Sequence, residues 1–388
     1  MVIALPSDTS WLQREGLKHL VAALGAKNVR YVGGAVRDTL MGQPVKDIDI
    51  ATVLDPREVI RRLKAQGITA IPTGIEHGTI TAVVPLGNVE ITTLRRDLAS
   101  DGRRATVAFS AEWQDDAARR DFTINALYAD PVSGEVFDWF GGLDDLKARK
   151  VRFIGDARQR IREDHLRILR YFRFQARFGS QPADPESENA CAELAATLKG
   201  LSRERVGMEC MNLLGLPDPA PTVARMAQLG VLEVVLPEAD VDALAALVAE
   251  EARQGIAPDA LRRLAALIPP DPGLAEAIAS RFRLSGNQKK RLAYAAGRTA
   301  TPADPRALAY RLGRAGALDR LLLTGESVAP LHDWEIPTFP LKGGEVVAHG
   351  IQAGPEVARI MQAAEARWIE EGFPDASRVK VILSELLA

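Results

Sequence analysis

Residues 31–52, YVGGAVRDTLMGQPVKDIDIAT, constrain this chain more than any other stretch. A short apolar run leads into Gly33 and Gly34, which lack a Cβ, tolerate positive φ and let the backbone approach a ligand closely. A helix opening near Ala35 aims its first amide N–H groups at the same turn, an arrangement that suits phosphate. Arg37 and Asp38 follow in that helix. In the run Lys46-Asp-Ile-Asp-Ile50 the acids Asp47 and Asp49 are two apart, so an extended strand points both to one face. Paired carboxylates repel unless a cation lies between them, and hard oxygen ligands beside a phosphate turn suit Mg2+. Taken separately, the glycines read as a tight turn and the acids as a solvated edge strand. Together, in this order within 17 residues, they favour a nucleotide-phosphate and metal site.

The flanking sequence is consistent with a small α+β domain. Residues 8–25 carry leucines at helical spacing after a possible cap at Asp8 or Ser10, and 55–66 read as an amphipathic helix. Strand patterns follow at 70–72, 78–84 and 88–93, the last placing Glu90 on one face with Thr92. Glu90 reads as an exposed strand residue or as a third carboxylate beside Asp47 and Asp49. Residues 95–106 read as a polar, basic loop holding Arg95, Arg96, Asp101 and Arg103. Residues 115–130 predict a helix whose polar side carries Arg119, Arg120, Asp121 and Asn125. A last strand and a glycine turn occupy 136–146. Beyond them only helical patterns run to the C-terminus.

The whole chain has a net charge of −2, which offers no overall attraction for nucleic acid. Between Lys147 and Arg177, however, eleven basic residues face three acids, a local footprint for a polyanion. Lys147, Arg149, Lys150, Arg173 and Arg177 are its candidate RNA contacts. Within the same basic helix, Asp164 and Arg167 are three apart and read by default as an ordinary surface ion pair.

GGAVRD followed by DIDIAT closely resembles the signature of the nucleotidyltransferase superfamily, in particular class II tRNA nucleotidyltransferases (CCA-adding enzymes) and bacterial poly(A) polymerases. RRDFTINAL resembles that family's second motif, which meets the nucleotide's ribose and phosphates. VFDWFGGLDDL is similar to its hinge motif, and LSRERV to the motif supporting its neck helix. Glu163-Asp-His-Leu-Arg167 resembles EDxxR, in which acid and guanidinium together mimic a base edge. A carboxylate accepts from an exocyclic amine and a guanidinium donates to a ring nitrogen or carbonyl, a pattern that cytosine and adenine match. By this resemblance Asp47 and Asp49, with Glu90, are catalytic, and the first two hold two Mg2+ ions. Gly33, Gly34, Arg37, Asp38, Arg119, Arg120, Asp121, Asn125, Asp164, Arg167 and Arg170 bind nucleotide. Residues 95–104 form the flexible loop needed for the final adenosine, and tail glycines near 350–354 meet RNA.

The implied architecture is a nucleotidyltransferase head with a small mixed sheet over 1–145, then an all-α neck (146–215), body (216–300) and tail (301–388). The implied substrates are CTP, ATP and tRNA, met at its acceptor and T arms, with no protein partner. A poly(A) polymerase, a partial CC- or A-adding enzyme, and a non-catalytic RNA-binding protein with a worn head are the alternatives. The five histidines do not form a metal phosphohydrolase pattern. Two cysteines without metal-type spacing suit a reducing cytoplasm, and no run of about 18 apolar residues suggests a membrane span.

Overall fold

The computed structural model describes residues 3–85, 87–100, 105–109, 112–298 and 304–388, with the backbone alone for 96–100 and 105–109. The chain divides into two compact units: residues 1–213 with 221–237, and residues 214–220 with 238–388.

The first unit is built on a mixed seven-stranded sheet. Its strands are β1 (Val29–Val32), β2 (Ile48–Thr52), β3 (Thr69–Gly74), β4 (Thr79–Val84) and β5 (Gly87–Thr93). β6 (Arg95–Ser100) and β7 (Ala105–Phe109) form a separate two-stranded ribbon; β8 (Tyr128–Ala129) and β9 (Val136–Phe137) complete the sheet. The order across it is β3-β4-β5-β2-β1-β8-β9, with β2 and β5 parallel. One face carries Tyr31, Ile48, Ile50, Val89, Ile91, Ile80 and Ala82, all buried. Helices α1 (Glu15–Leu24) and α3 (Pro56–Ala65) pack on that side, and Asp55 caps α3 by accepting from the Arg57 and Glu58 amides. Between them in sequence, α2 (Gly34–Leu40) springs from the glycine turn. The opposite face places Val32, Asp49 and Glu90 side by side, because Asp49 lies opposite Val32 on one neighbour and Glu90 on the other.

Three local readings are corrected. The predicted 95–106 loop is in large part the β6–β7 ribbon, with Arg95 opposite Phe109 and Arg96 opposite Ala108; pairing between two strands leaves no signal in either strand's own polarity. Asp101 and Arg103 lie outside the described residues. The predicted 115–130 helix is α4 (Trp113–Ala118), a 3-10 turn at Thr123–Asn125 and then β8. The Asp121 carboxylate accepts the Phe122 amide and the Asn125 side chain, a local pairing that competes with helix continuation. Finally, neither Asp8 nor Ser10 caps α1: a 3-10 turn (Ser10–Gln13) intervenes, and the residue before the helix is Arg14.

Helices follow: α5 (Gly142–Lys147), α6 (Ala157–Glu163), α7 (Arg167–Phe178), α8 (Pro185–Leu194) and α9 (Arg203–Leu214). Ile161, Ile168 and Phe172 are fully buried, and Ala176 is half-buried. The motif at 163–167 is not inside a helix, however. Asp164 has extended backbone at the end of α6, and α7 starts afresh at Arg167. In the second unit every described element is helical. Arg262 and Arg263 are buried there against Glu251 and Asp319. Trp368, Ile360, Val379 and Ile382 centre an apolar cluster near the C-terminus. Among the described residues no helix is long and apolar enough to cross a membrane.

Candidate active site

Two adjoining cavities, of about 360 and 460 Å3, open on the acid-bearing face of the sheet in the first unit and share Asp49, Arg120, Asp121 and Arg170. These volumes lie in the range of small-molecule sites.

The larger cavity is walled by the glycine turn, both aspartates and a set of arginines. Gly33 has φ 69 and ψ −122, a conformation that only glycine adopts without strain, and a Cβ there would lie 3.3 Å from the Arg120 guanidinium. Asp47 is exposed just before β2, and Asp49 is half-buried on it. Burial, then the charge of Glu90, pushes the Asp49 carboxyl above its ordinary range; Asp47 adds to this and Arg120 opposes it. Converging acids of this kind are poised for a cation. Among the described residues no three acid, histidine or cysteine side chains gather closely enough to hold a metal ion by themselves. An all-oxygen donor pair that leaves positions for phosphate oxygens and water is nonetheless the usual way proteins bind Mg2+, so the residues fit that ion.

The arginines are held by a continuous chain of bonds. Arg177 donates to Asp38 (3.3 Å), and Arg37 donates to the same carboxylate (2.8 Å) and to the Asn125 side-chain oxygen Oδ1. Asn125 in turn donates to Asp121 (2.9 Å), which accepts both Nε and Nη2 of Arg170 (2.9 and 2.7 Å). Glu209 of α9 then accepts from Arg173 (2.6 Å) and pairs with Arg170 at 3.7 Å. Burial pushes the Asp121 carboxyl up, but the Arg170 charge and the bonds from Asn125 and Arg170 outweigh it and hold it at about 2. Asp121 and Asn125 therefore spend their hydrogen bonds on placing arginines. The larger cavity ends with six cationic and four acidic side chains on its wall.

The smaller cavity is lined by Asp49, Glu90, Thr92, Arg95, Arg119, Arg120, Asp164 and Arg167, among others. Asp164 and Arg167 do not pair with each other. Asp164 accepts from Arg205 (2.7 Å) and from the Leu166 amide (3.1 Å). Arg167 donates to Glu163 (2.6 Å) and to the carbonyls of Arg160 (2.9 Å) and Arg119 (3.1 Å). The ordinary i,i+3 ion pair is thus replaced by two groups fixed separately and aimed into one pocket.

The chain is similar to proteins already known. A family model described as "Poly A polymerase head domain" matches residues 29–152, and one described as "Probable RNA and SrmB- binding site of polymerase A" matches residues 183–242. The mitochondrial CCA tRNA nucleotidyltransferase 1 of Mus musculus is 34% identical over 380 residues, covering 92% of this chain and 87% of that protein. Its Homo sapiens counterpart is 34% identical over 392 residues, with the same coverage. The chain belongs to the CCA tRNA nucleotidyltransferase family. The crystal structure of the Bacillus stearothermophilus CCA-adding enzyme in complex with CTP superposes with a TM-score of 0.70 at 26% identity, covering 92% of this chain and 94% of that one.

Of the residues singled out from sequence, the structure gathers Gly33, Gly34, Arg37, Asp38, Asp47, Asp49, Glu90, Arg95, Arg119, Arg120, Asp121, Asn125, Asp164, Arg167 and Arg170 around these cavities. Arg173 and Arg177, read as RNA contacts, sit in the wall of the larger one. Lys147, Arg149 and Lys150 lie apart from it, Lys150 bonded to Asp184 at 2.9 Å. The local excess of positive charge is largely met by acids from other segments, among them Asp121, Asp145, Asp184 and Glu209. Sequence reasoning missed Asp116, Arg205 and Glu209 as site residues. Asp116 accepts from Arg119 (2.8 Å), Arg120 (3.2 Å) and the Tyr128 hydroxyl (2.6 Å). Its spacing to the two arginines, three and four, was the available signal.

Proposed function

We propose that this chain adds C, C and A to the 3′ end of tRNA, taking CTP and ATP and releasing pyrophosphate. The observation carrying this reading is that the acids of β2 and β5 and a separately anchored Asp164/Arg167 pair face one cavity. Asp47 and Asp49 would hold Mg2+, two ions in this reading, which supplies charge neutralisation on the triphosphate and acidifies the terminal ribose hydroxyl. Glu90 would assist as the neighbouring carboxylate.

The chain's own residues do the rest. Arg37, Arg120, Arg170, Arg173 and Arg177 would face the triphosphate, pre-placed by Asp38, Asp116, Asp121 and Glu209 so that little side-chain order is lost when nucleotide arrives. Three of the five Arg167 N–H donors are taken by Glu163 and two carbonyls, which leaves two for a base. Asp164 would accept the exocyclic amine of cytosine or adenine; uracil and guanine present the opposite pattern. Base choice then resides in protein atoms and needs no nucleic-acid template. Arg167→Ala should raise misincorporation of U and G at least about tenfold relative to C and A, while tRNA affinity changes less than about threefold. Competition assays with mixed nucleotides read this directly, and retained selectivity would return the pair to a structural role.

Lys147, Arg149 and Lys150, with the tail glycines Gly350 and Gly354, are assigned to tRNA contact at its acceptor and T arms. The head, neck, body and tail division at 145, 215 and 300 is kept as a functional partition. Arg95, Arg96, Asp101 and Arg103 would act together as the arm needed for adenosine addition. Two free cysteines suit a reducing compartment, for which we take the cytoplasm. The reading is tested by sequencing the 3′ ends of tRNA lacking CCA after incubation with CTP alone, ATP alone and both. The expected products are CC, no extension and CCA; a run of A alone would mark a poly(A) polymerase, and no product a binding protein.

A further inference from the structure

The acid-bearing face of the sheet does not end at Glu90. Thr81 lies opposite Glu90 in the β4–β5 register and Thr79 opposite Thr92, and cross-strand partners share a face. The next strand continues it, with Ile71 opposite Thr81. Hydroxyls join across this surface, Thr79 to Thr92 at 3.3 Å and Thr73 to Thr81 at 2.9 Å. Beyond them Ile71 and Val83 are 45% and 41% exposed. Behind β4 and β5 the reverse face is packed core, with Ile80, Ala82, Val89 and Ile91 buried, whereas no residue of the edge strand β3 is buried. Glu90 and Thr92 belong both to this shelf and to the lining of the smaller cavity, which makes the two surfaces continuous.

The chemistry of the shelf is selective. Among its described residues it carries no lysine or arginine, so it has nothing to attract phosphate. Thr81 is buried, whereas Thr73 is exposed and Thr79 and Thr92 are half-buried. In each threonine pair one hydroxyl donates to the other, which leaves one spare O–H and free lone pairs in the pair. Ribose hydroxyls can use both, and the aliphatic side chains of Ile71 and Val83 offer a surface for bases. We infer that this threonine–aliphatic shelf seats the sugar and base edges of the last residues of the acceptor strand, and so delivers the terminal hydroxyl to the Asp49/Glu90 edge of the cavity. The inference rests on the reading of the chain as a tRNA 3′-end polymerase.

Thr73→Val removes the exposed hydroxyl of its pair without changing side-chain shape, and Ile71→Asp places a charge on a half-exposed edge position; neither lines a cavity. Each should raise KM for tRNA lacking CCA about five- to tenfold and leave KM for CTP within about twofold, with Tm unchanged. Replacing the last two riboses of the tRNA by deoxyribose should weaken it about fivefold for the unaltered enzyme and less than twofold for Thr73→Val. Unchanged tRNA KM in the two variants, or equal rises for tRNA and CTP, overturns the proposal. So does a dimer in sedimentation that Ile71→Asp dissolves while tRNA KM holds, since the shelf would then be a contact between copies. If the unaltered chain extends no RNA, the activity reading fails by itself. Anisotropy binding of ribo- and deoxyribo-terminated acceptor oligonucleotides to the same variants then still decides the shelf, equal affinities overturning it.

Discussion

Asp49→Asn should lower kcat for nucleotide addition at least about a thousandfold, the loss expected when several kcal/mol of metal-borne charge stabilisation is removed. Affinity for tRNA should stay within about twofold, because Asp49 lies on the sheet among the acids and arginines that wall the larger cavity. The fold should gain from the same change. Burial and the charges of Glu90 and Asp47 raise the folded-state pKa of this carboxyl above its unfolded value. An acid raised in this way contributes stability that is complete below its unfolded pKa, near 3.8, and is lost as pH rises through the folded value. At neutral pH the ionised group therefore opposes folding, and the neutral amide should leave Tm equal or higher. Mg2+ alone should raise Tm of the unaltered protein and leave that of Asp49→Asn unmoved, by mass action on the folded state. Calorimetry with and without Mg2+, beside single-turnover kinetics, checks all of this. A variant that keeps its activity, or one that still responds to Mg2+, would remove Asp49 from the metal site.

Asp116→Ala should destabilise the first unit strongly. The residue is 1% exposed and is the shared acceptor of Arg119, Arg120 and the Tyr128 hydroxyl, and its removal leaves two cations facing each other at the cavity wall. Breaking a buried pair from one side costs about 3–5 kcal/mol, which for a unit of this size lowers Tm by roughly 10 °C. Burial pushes its carboxyl up, but the charges of Arg120 and Arg119 and the Tyr128 bond outweigh it and hold it at about 2. A depressed carboxyl contributes stability present above its unfolded value of 3.8 and lost as pH falls toward about 2. Acid titration of Tm should therefore show a loss between roughly pH 4 and 2 that is missing in Asp116→Ala. Asp116→Asn should be intermediate, since it keeps an acceptor and loses the charge. Equal acid profiles for the three proteins would mean that the arginines are placed by something else.

Much of this molecule could be read one segment at a time. Alternation of apolar residues marked β4 and β5, the Asp55-Pro56 start marked α3, and the glycine turn before Arg37 marked α2 to within a residue. Each depends on chemistry within a few neighbours, where period and capping act. Readings failed where partners lay far away in the chain. The Phe122–Ala129 stretch has the composition of a helix, yet Phe122 bridges to Phe153 and Tyr128 joins β1 in the sheet. Arg170, 49 residues from Asp121 along the chain, claims the acid that otherwise suits a ribose.

The sequence by itself therefore determined the kind of chemistry: which acids, glycines and arginines are present, and in what order. That holds because each motif is a local spacing of groups whose reactivity travels with them. Only the tertiary structure decided how those groups are used. Parallel pairing of β2 with β5 sets Glu90 beside Asp49, and the break between α6 and α7 parts Asp164 from Arg167 so that separate partners hold them. Charges and hydrogen bonds act through space over a few ångströms, and those distances exist only once distant segments have packed together.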